Sequence, residues 1–334
     1  MQTIAIVGAT GAVGQEFRRV LEQRRFPAAK YRLFASPRSA GQSVDWVGGP
    51  LTIEALTPKS FAGVQIAFFS AGAGISCEYA PIAVRSGAVV VDNSSAFRMD
   101  PAVPLVVPEI NGDLIRKQPG VISVPNCTAI ILCVAIAPLH RAVPIRRIVV
   151  STYQAVSGAG ARALAELEFQ THAVLHGQPA QPEVLPEPCA FNVFSHNTPI
   201  EENGFNGEEN KVIQETRKIL SAPEMAIAPT CMRVSVRRAH TESVSLEFSA
   251  PMSEQRAREV LSSAAGVKLL DDRAANRFPT ALKASDGDDV LVGRIRTDPT
   301  IPNGRGLQLI CAGDQLRKGA ALNAVQIAEQ LLVK

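Results

Sequence analysis

Hydrophobic and polar positions alternate in blocks along the first part of the chain. Thr3–Ala9 is a short β-branched apolar run, which predicts a strand, and in Val13–Arg25 the apolar residues recur on one helical face. The alternation continues through the strand-like runs YRLFAS, LTIEAL, VQIAFFSA, AVVVDNSS, VPLVVPEI and GVISVP and the helix-like run ISCEYAPIAVRSG. Strands that alternate with helices predict parallel βαβ units.

The pattern changes after the apolar run Thr128–Leu139, which predicts a buried helix. RRIVVSTYQAVS alternates like a strand with one solvent-facing side, and TCMRVSVRRAHTESVSLEFS alternates over one or two strands. GARALAELEFQTHAVL and GEENKVIQETRKIL predict helices, and Gln178–Pro188 predicts an irregular segment. This second region is predicted to be α+β with a mostly antiparallel sheet.

These patterns predict an α/β protein of two domains. A length of 334 residues also suggests two domains rather than one. We place a Rossmann-type domain of βαβ units at residues 1–127 and a second, α+β domain at 128–312. The amphipathic tail LRKGAALNAVQIAEQLL predicts a C-terminal helix, placed at residues 313–334, that completes the first domain.

Composition narrows the class of protein and of partner. The chain is 46% hydrophobic and 19% charged with a net charge of +3, which is typical of a soluble globular protein and argues against disorder. No block of Lys and Arg is interleaved with aromatics, so nucleic acid is an unexpected partner. The N-terminus lacks the features of a signal peptide, and TAIILCVAIAPL is too short to span a bilayer, so no membrane association is predicted.

Cysteine usage indicates a reducing compartment. The six cysteines form no CxxC pair and no Cys/His cluster with zinc-ligand spacing, and a disulfide framework is unexpected in a chain this large. We therefore predict a cytoplasmic protein without a metal. The cysteines are Cys77, Cys127, Cys133, Cys189, Cys231 and Cys311.

Glycines between the first strand and the first helix predict a dinucleotide site. In AIVGATGAVG, Gly8 permits a tight turn, Gly11 lets a pyrophosphate approach the backbone, and Gly14 allows close helix–sheet packing. The helix N-terminus would bind the phosphates. The expected contacts are Gly8, Thr10, Gly11, Ala12 and Val13; the alternative is a glycine turn without a ligand.

The end of the second strand favours NADP over NAD. An NAD site usually offers an acid there to hold the ribose 2′-hydroxyl. Here the segment FASPRSAG has no acid and supplies Ser36, Arg38 and Ser39, which suit a 2′-phosphate. The alternative is a solvated surface arginine.

Nine motifs follow one another along the chain: GATGAVG, ASPRSAG, VDNSSAFRMD, VPNCTAI, STYQAVSGAGARALAEL, EENKVIQETRKIL, RVSVRRAHTES, VGRIRTD and GDQLRKGAALNAVQIAE. They occur in the order found in aspartate-semialdehyde dehydrogenases, so the chain resembles that family over nearly its whole length. The resemblance implies reversible conversion of L-aspartyl 4-phosphate to L-aspartate 4-semialdehyde and phosphate with NADPH, in lysine, threonine, methionine and diaminopimelate biosynthesis. It also implies a homodimer, NADP binding by the domain at residues 1–127, and a substrate-binding and dimerisation domain at 128–312.

Cys127 matches the acyl-thioester cysteine of this family. It precedes an apolar helix whose dipole favours a thiolate, and a thiolate both attacks carbonyls and leaves easily. Neighbouring amides and Asn126 would stabilise the oxyanion. The alternative is a buried small residue, as free cysteine often is.

His240 resembles the family's base and Arg233 the arginine that clamps the substrate carboxylate. The two are seven residues apart, so a single extended strand would put them on opposite faces, and convergence requires a bend or a strand end. A structural strand histidine is the alternative for His240.

The remaining site residues also follow from the resemblance. Gln154 would orient the substrate, Glu208 would meet its ammonium, and the neighbouring Glu209 could take that role instead. Arg98 and Lys211 would bind phosphate. The nicotinamide side would involve Ser157, Gly158 and Gln315, and Gln315 stands where the family commonly has asparagine. FNVFSHNTPI also departs from the family pattern.

Two other functions compete with this reading. A related acyl-phosphate reductase such as N-acetyl-glutamyl-phosphate reductase would share the cofactor and cysteine, but an acid such as Glu208 suits a free ammonium better than an acetamide. A paralogue without catalysis would be expected to lack the nucleophile or the base, and both Cys127 and His240 are present.

Overall fold

Two seven-stranded sheets organise the chain, one in each of two units. The computed structural model describes residues 2–332. The first unit contains the described residues up to Asn126 and those from Gly319 onward, and the second unit contains Cys127–Lys318.

The sheet of the first unit is almost entirely parallel. Its order is β3-β4-β2-β1-β5-β6-β7, and only the β3–β4 pair is antiparallel. The carboxyl ends of β1 and β5 therefore lie at one edge, where the glycine turn begins, and the predicted Rossmann-type architecture is confirmed. The strands are β1 Gln2–Val7, β2 Ala28–Ala35, β3 Ser43–Val44, β4 Leu51–Ala55, β5 Ile66–Phe69, β6 Val89–Asp92 and β7 Gly120–Ser123.

Helices cover this sheet because each presents an apolar stripe to it. Phe17, Val20 and Leu21 of the first helix are buried, as the helical spacing predicts. The helices are α1 Ala12–Gln23, α2 Ala73–Arg85 and the short α3 Pro108–Asn111.

The sheet of the second unit is mostly antiparallel, as predicted. Its order is β12-β13-β14-β11-β8-β10-β9, and only the β12–β13 and β8–β10 pairs are parallel. The strands are β8 Ile145–Gln154, β9 Val193–Ser195, β10 Ala226–Val234, β11 His240–Phe248, β12 Val267–Leu269, β13 Val290–Thr297 and β14 Gly306–Gly313.

Helices pack on one face of this sheet and give the strands a regular burial alternation. Along β11 every second residue from His240 to Phe248 is buried, and the residues between them are partly exposed. The helix that begins at Cys127 is apolar all round because it lies in the core, where eleven of its residues are buried. The helices are α4 Cys127–Ala142, α5 Ala161–Leu175, α6 Gly207–Ile219, α7 Glu254–Ser262 and α8 Ala281–Ala284.

The chain ends in α9, Leu322–Leu332, which packs within the first unit. The Asn323 side chain donates to the carbonyl of Val106 at 2.9 Å, and Arg24 of α1 forms an ion pair with Glu329 at 2.7 Å. The helical region is shorter than the predicted residues 313–334. Gly313 ends a strand, a π-helical turn spans Arg317–Ala321, and residues 333–334 lie outside the described chain.

One local prediction was wrong. VPLVVPEI does not form a strand: Leu105 makes an isolated bridge to Ser123, and Pro108 starts α3, since proline is well suited to the first turn of a helix. Helix α4 begins at Cys127, which agrees with the predicted start near Thr128 and places the cysteine at the helix N-terminus. Within residues 2–332 no helix is long and apolar enough to cross a membrane.

Candidate active site

The glycine turn of the first unit requires glycine at two of its three positions. Gly8 has φ +89°, and a Cβ there would lie 2.4 Å from the carbonyl oxygen of Ser70. A Cβ on Gly14 would lie 2.1 Å from the Gly8 oxygen, so helix α1 can approach the turn only without a side chain. Gly11 is the N-cap of α1. Both the tight turn and the close packing predicted from the sequence are present.

A cavity of about 550 Å³ opens beside this turn. It brings together four of the predicted cofactor residues, and its lining includes no acidic side chain. Ala12 and Val13 form the first residues of α1, while Arg38 is exposed beside the cavity in the turn Pro37–Ser39. The lining residues are Val7, Gly8, Thr10, Gly11, Ala35, Ser36, Pro37, Leu56, Ser70, Ala71, Ile75 and Tyr79.

The loop after β6 presents unused polar atoms. Asp92 is fully buried and accepts hydrogen bonds from the hydroxyls of Ser76 and Ser94, each at 2.8 Å. In contrast, both side-chain polar atoms of Asn93 are buried without a hydrogen-bond partner among the described residues. Arg98 donates to the Val124 carbonyl at 2.9 Å and to the Asn93 carbonyl at 2.8 Å, which fixes the loop. Buried polar atoms without partners are costly, so a ligand is a natural partner for the Asn93 amide.

In the second unit, three neighbouring strands bring Gln154, Arg233 and His240 together. Gln154 ends β8, and Arg233 of β10 lies in register beside it. On the other side of β8, β11 begins at His240. All three side chains lie on the helix-covered face, with exposures of 2%, 2% and 0%.

A turn resolves the spacing between Arg233 and His240. The two residues belong to different strands, and residues 235–239 cross the end of β8. Ala239 adopts φ +70°, a conformation that alanine rarely takes, and its amide donates to Gln315 Oε1 at 2.7 Å. The predicted bend is therefore a complete strand-to-strand connection.

Cys127 and His240 are in contact. The Cys127 Sγ lies 3.4 Å from His240 Nε2, and the cysteine is partly exposed. Because Cys127 is the first residue of α4, the positive end of the helix dipole lies at its side chain and favours the thiolate. The geometry favours a nucleophile over the alternative of an inert buried cysteine. Asn126, which precedes it, is 7% exposed.

His240 is fixed from its other side by the backbone. The amide N–H of Ala155 donates to His240 Nδ1 at 3.0 Å. A Cβ on Gly158 would lie 3.3 Å from the imidazole, so the glycine lets the loop lie close to the ring. Burial above all, together with the positive charge of Arg233, lowers the pKa of His240 to about 3.

Arg233 is held by residues that the sequence analysis missed. Its guanidinium donates to the Ala155 carbonyl at 2.7 Å, to His196 Nε2 at 2.8 Å and to Asn197 Oδ1 at 3.1 Å. Its Nε atom is buried without a partner among the described residues. His196 and Asn197 lie in the segment that departs from the family pattern, and the available signal was a histidine and an amide just after a short strand.

Glu208 joins the other predicted substrate residues. Its carboxylate accepts from Gln154 Nε2 at 3.1 Å, from the Thr128 hydroxyl at 3.5 Å and from Lys211 Nζ at 3.2 Å. Glu209 instead completes the capping box of α6 and accepts from the Cys231 amide at 3.0 Å. The capping role occupies Glu209, so Glu208 is the better candidate for binding an ammonium.

Gln315 and Ser157 form a buried link rather than an open surface. Gln315 is 2% exposed; its Oε1 accepts from Ala239 and its Nε2 donates to the Ser157 hydroxyl at 2.5 Å. The Ser157 hydroxyl donates to the carbonyl of Arg237. The longer glutamine side chain thus ties the loop after β8 to the turn before β11. Among the described residues, His, Cys, Asp and Glu side chains form no group of three or more that could hold a metal.

A buried carboxyl, that of Glu242, lies two residues after His240 on the same face of β11. Glu242 is fully buried, accepts from the Cys311 thiol at 3.6 Å, and has no partner for Oε1 among the described residues. Burial raises the pKa of this carboxyl well above its ordinary value. Glu242 is therefore protonated in the folded chain at pH values where it would ionise in water.

Replacing Glu242 with glutamine is expected to make stability less sensitive to rising pH. The unfolded carboxyl ionises above about pH 4.3 while the folded one keeps its proton, so this group lowers the free energy of unfolding by about 1.4 kcal/mol per pH unit above that point. Its contribution is full below the unfolded pKa and is lost as pH rises towards the folded pKa. Glu242→Gln removes this slope.

The measurement is the thermal midpoint of the wild-type and Glu242→Gln proteins between about pH 4 and pH 8. The thermal midpoint of the variant, relative to that of the wild type, should increase as pH rises. Glu247→Gln, on the partly exposed face of the same strand, should follow the wild-type curve. A difference between wild type and Glu242→Gln that does not change with pH would contradict the assignment.

Comparison with known proteins gives matches over both units. A family model described as "Semialdehyde dehydrogenase, NAD binding domain" matches residues 3–118, and one described as "Semialdehyde dehydrogenase, dimerisation domain" matches residues 136–318. Together they cover most of the chain.

Relatives and solved structures agree with these models. An aspartate-semialdehyde dehydrogenase of Synechocystis is 52% identical over 329 residues, which is 98% of this chain and 97% of the relative. One of Prochlorococcus marinus is 49% identical over 332 residues, 99% of this chain and 96% of the relative. The crystal structure of aspartate semialdehyde dehydrogenase II complexed with ASA from Vibrio cholerae is 40% identical, with a TM-score of 0.95 and coverage of 99% and 98%.

Proposed function

Because the chain belongs to the aspartate-semialdehyde dehydrogenase family, we propose that it interconverts L-aspartate 4-semialdehyde and phosphate with L-aspartyl 4-phosphate using NADP. The biosynthetic direction consumes NADPH and would serve the synthesis of lysine, threonine, methionine and diaminopimelate. The observation that carries the proposal is the 3.4 Å contact between Cys127 Sγ and His240 Nε2, beside a buried arginine.

The oxidative reaction begins at Cys127. The thiolate attacks the aldehyde carbon, the carbonyl π pair moves onto oxygen to give the hemithioacetal anion, and His240 faces the sulfur that makes this bond. The nicotinamide, when bound, accepts the hydride. The acyl group then remains on Cys127 as a thioester until phosphate attacks it, and the thiolate leaves with its electron pair. A thiolate serves both steps because it is a good nucleophile and a good leaving group.

The polar residues around Cys127 suit a small amino acid. Arg233 would bind the α-carboxylate, for which its partnerless Nε offers a donor, and Glu208 would bind the α-ammonium. Gln154, which donates to Glu208, would orient the substrate. Phosphate would be bound by Arg98 and Lys211. A free ammonium is matched by Glu208, which favours the aspartyl substrate over an N-acetylated glutamyl one.

Several features of the first unit support the proposal that it binds NADP. The glycine turn leaves room for a pyrophosphate at the start of α1, the cavity has the size of a ligand site, and Asn93 offers polar atoms without partners. Ser36 lines the cavity without a neighbouring acid, and Arg38 and Ser39 follow it, which suits a ribose 2′-phosphate. Ser157 and Gly158 stay proposed as nicotinamide-side residues; Gln315 would act there through its bond to Ser157.

Arg38→Ala is expected to raise the KM for NADP by about 10- to 100-fold and to leave the KM for NAD nearly unchanged. The reason is that hydrogen bonds to charged groups contribute about 1.5–3 kcal/mol, and only NADP carries the 2′-phosphate. Initial rates with each cofactor measure this, with NAD acting as the internal control. Equal changes for both cofactors would contradict a 2′-phosphate contact.

A homodimer would form on the uncovered face of the second sheet. The residues that alternate with the buried ones there are mostly small or apolar, and the family model for this region is described as a dimerisation domain. Tyr153 on this face is 41% exposed in the single chain. A second copy is the proposed occupant, and sedimentation at twice the chain mass of 35.6 kDa is the expected result. The residues of this face include Val149, Ser151, Tyr153, Ala228, Thr230, Thr241, Ser243 and Ser245.

The activity itself is tested by phosphate-dependent NADPH formation from aspartate 4-semialdehyde. The rate should depend on added phosphate and should exceed the rate with N-acetyl-glutamate 5-semialdehyde. Faster turnover of the acetylated substrate would favour the related reductase. Absence of turnover with both would support a chain that keeps the fold without catalysis.

A further inference from the structure

The hydrogen bonds of the Arg233 guanidinium leave few donors for a substrate carboxylate. A guanidinium carries five N–H donors, one on Nε and two on each Nη. Nη1 donates to the carbonyls of Ala155 at 2.7 Å and Gln154 at 3.4 Å. Nη2 donates to His196 Nε2 at 2.8 Å and to Asn197 Oδ1 at 3.1 Å. Among the described residues, Nε is the one nitrogen of this guanidinium without a partner.

Two-point binding of a carboxylate by Arg233 requires a proton of Nη2. A planar guanidinium offers two edges to a carboxylate, one formed by Nε and Nη2 and the other formed by Nη1 and Nη2. Nη2 belongs to both edges, and its donations go to His196 and Asn197. A carboxylate that accepts two parallel hydrogen bonds therefore requires one of these two residues to release Nη2.

The surroundings of the two residues determine which of them yields. His196 is 9% exposed; its backbone amide donates to the Cys231 carbonyl at 2.9 Å, and its Nδ1 lies 3.2 Å from the Thr198 hydroxyl. Asn197 is exposed, and within residues 2–332 the bond to Arg233 is the one hydrogen bond that it makes. The Asn197 amide can therefore return to water, whereas His196 Nε2 would lose its partner inside a buried site.

We propose that Asn197 is an intramolecular competitor of the substrate carboxylate. Its side-chain oxygen accepts from the same Nη2 proton that the carboxylate needs, and substrate binding exchanges the amide for the carboxylate. The exchange is favourable because charge-assisted hydrogen bonds to a guanidinium are stronger than bonds to a neutral amide. The inference rests on the proposed function, since it takes Arg233 as the carboxylate site.

The alternative role for Asn197 is structural support of Arg233, and the two roles predict changes of opposite sign. If Asn197 supports the guanidinium, removing its oxygen weakens substrate binding, and a carboxylate oxygen in its place preserves binding. If Asn197 competes, removing its oxygen strengthens substrate binding. A carboxylate in its place then weakens substrate binding, because the charged oxygen accepts from Nη2 more strongly than the amide does.

Titration calorimetry with L-2-aminobutyrate tests the competition without any turnover, because this amino acid has a methyl group where aspartate 4-semialdehyde has its aldehyde. Asn197→Ala should bind it about 2- to 10-fold more tightly than wild type, the scale of one competing hydrogen bond. Asn197→Asp should bind it about tenfold or more weakly. Ser195→Ala, at an exposed position of β9, should match the wild type. Unchanged or weaker binding by Asn197→Ala, or no binding by any of these proteins, would overturn the proposal.

Initial rates separate this inference from the proposed function. Asn197→Ala should lower the KM for aspartate 4-semialdehyde by the same factor and should leave kcat and the KM for phosphate unchanged, because the exchange at Nη2 precedes the chemistry. A wild-type protein without turnover would refute the proposed function, and the order of affinities from calorimetry would still decide the role of Asn197. Turnover by the wild type with a higher KM in Asn197→Ala would refute the competition and leave the proposed function standing.

Discussion

Replacing Cys127 with serine is expected to lower kcat by about 10⁴-fold or more, the scale typical of losing a nucleophile. A serine hydroxyl is a much weaker acid than a thiol, and the small contribution of the helix dipole does not offset that difference. The Cys127 thiolate is favoured by its position at the start of α4, and the Cys127 Sγ lies 3.4 Å from His240 Nε2. The measurement is the single-turnover yield of NADPH from aspartate 4-semialdehyde with excess enzyme.

The exposed Cys77 supplies the matched control for this experiment, since it is a free cysteine of the first unit. Cys77→Ser should keep wild-type rates and should prevent unrelated labelling when the protein is treated with an alkylating agent. In that background, alkylation should modify Cys127 first and should abolish activity in parallel. Burst formation of NADPH by Cys127→Ser, or alkylation of Cys127 without loss of activity, would refute the thioester.

Arg233→Lys is expected to lower kcat/KM by on the order of 100-fold, mainly through a higher KM for aspartate 4-semialdehyde. The carboxylate is bound in the ground state and in the transition state alike, so its loss acts on binding. Lysine keeps the charge but cannot make the planar set of donations that Arg233 makes to Ala155, His196 and Asn197.

Arg237→Lys is the control for this substitution because the Arg237 side chain is largely exposed and pairs with Glu168. It should leave both kinetic constants unchanged. A matching truncated aldehyde without the carboxylate should be turned over equally by wild type and Arg233→Lys. A large loss of kcat with an unchanged KM would show that Arg233 acts on the chemistry and not on carboxylate binding.

Local patterns predicted the parts of the site that depend on local structure. The glycine turn, the strand before it and the amphipathic stripe of α1 follow from neighbouring residues, so spacing was sufficient to predict them. Gly8 and Gly14 are required by contacts only a few residues away or by the adjacent strand. The family resemblance added roles to Cys127 and His240 that periodicity alone could not assign.

Long-range contacts explain what the sequence could not predict. The convergence of Arg233 and His240 depends on the two strands flanking β8, which no spacing rule contains. The role of His196 depends on a guanidinium 37 positions away in the chain. The hydrogen bond that holds His240 at Nδ1 comes from the backbone amide of Ala155, a group that every residue type except proline offers. These features are set by the tertiary fold, so only the structure reveals them.

The placement of α9 in the first unit constrains the order in which the two units can complete their folding during translation. Residues up to Asn126 leave the ribosome first, but α9 is synthesised only after Cys127–Lys318. Helix α9 packs with α1, and its Asn323 side chain donates to the Val106 carbonyl. The whole second unit emerges in between and forms a continuous segment that is complete before α9 appears. During translation the nucleotide-binding unit therefore remains unfinished, with apolar surface awaiting its last helix. The second unit can therefore be complete before the first unit is.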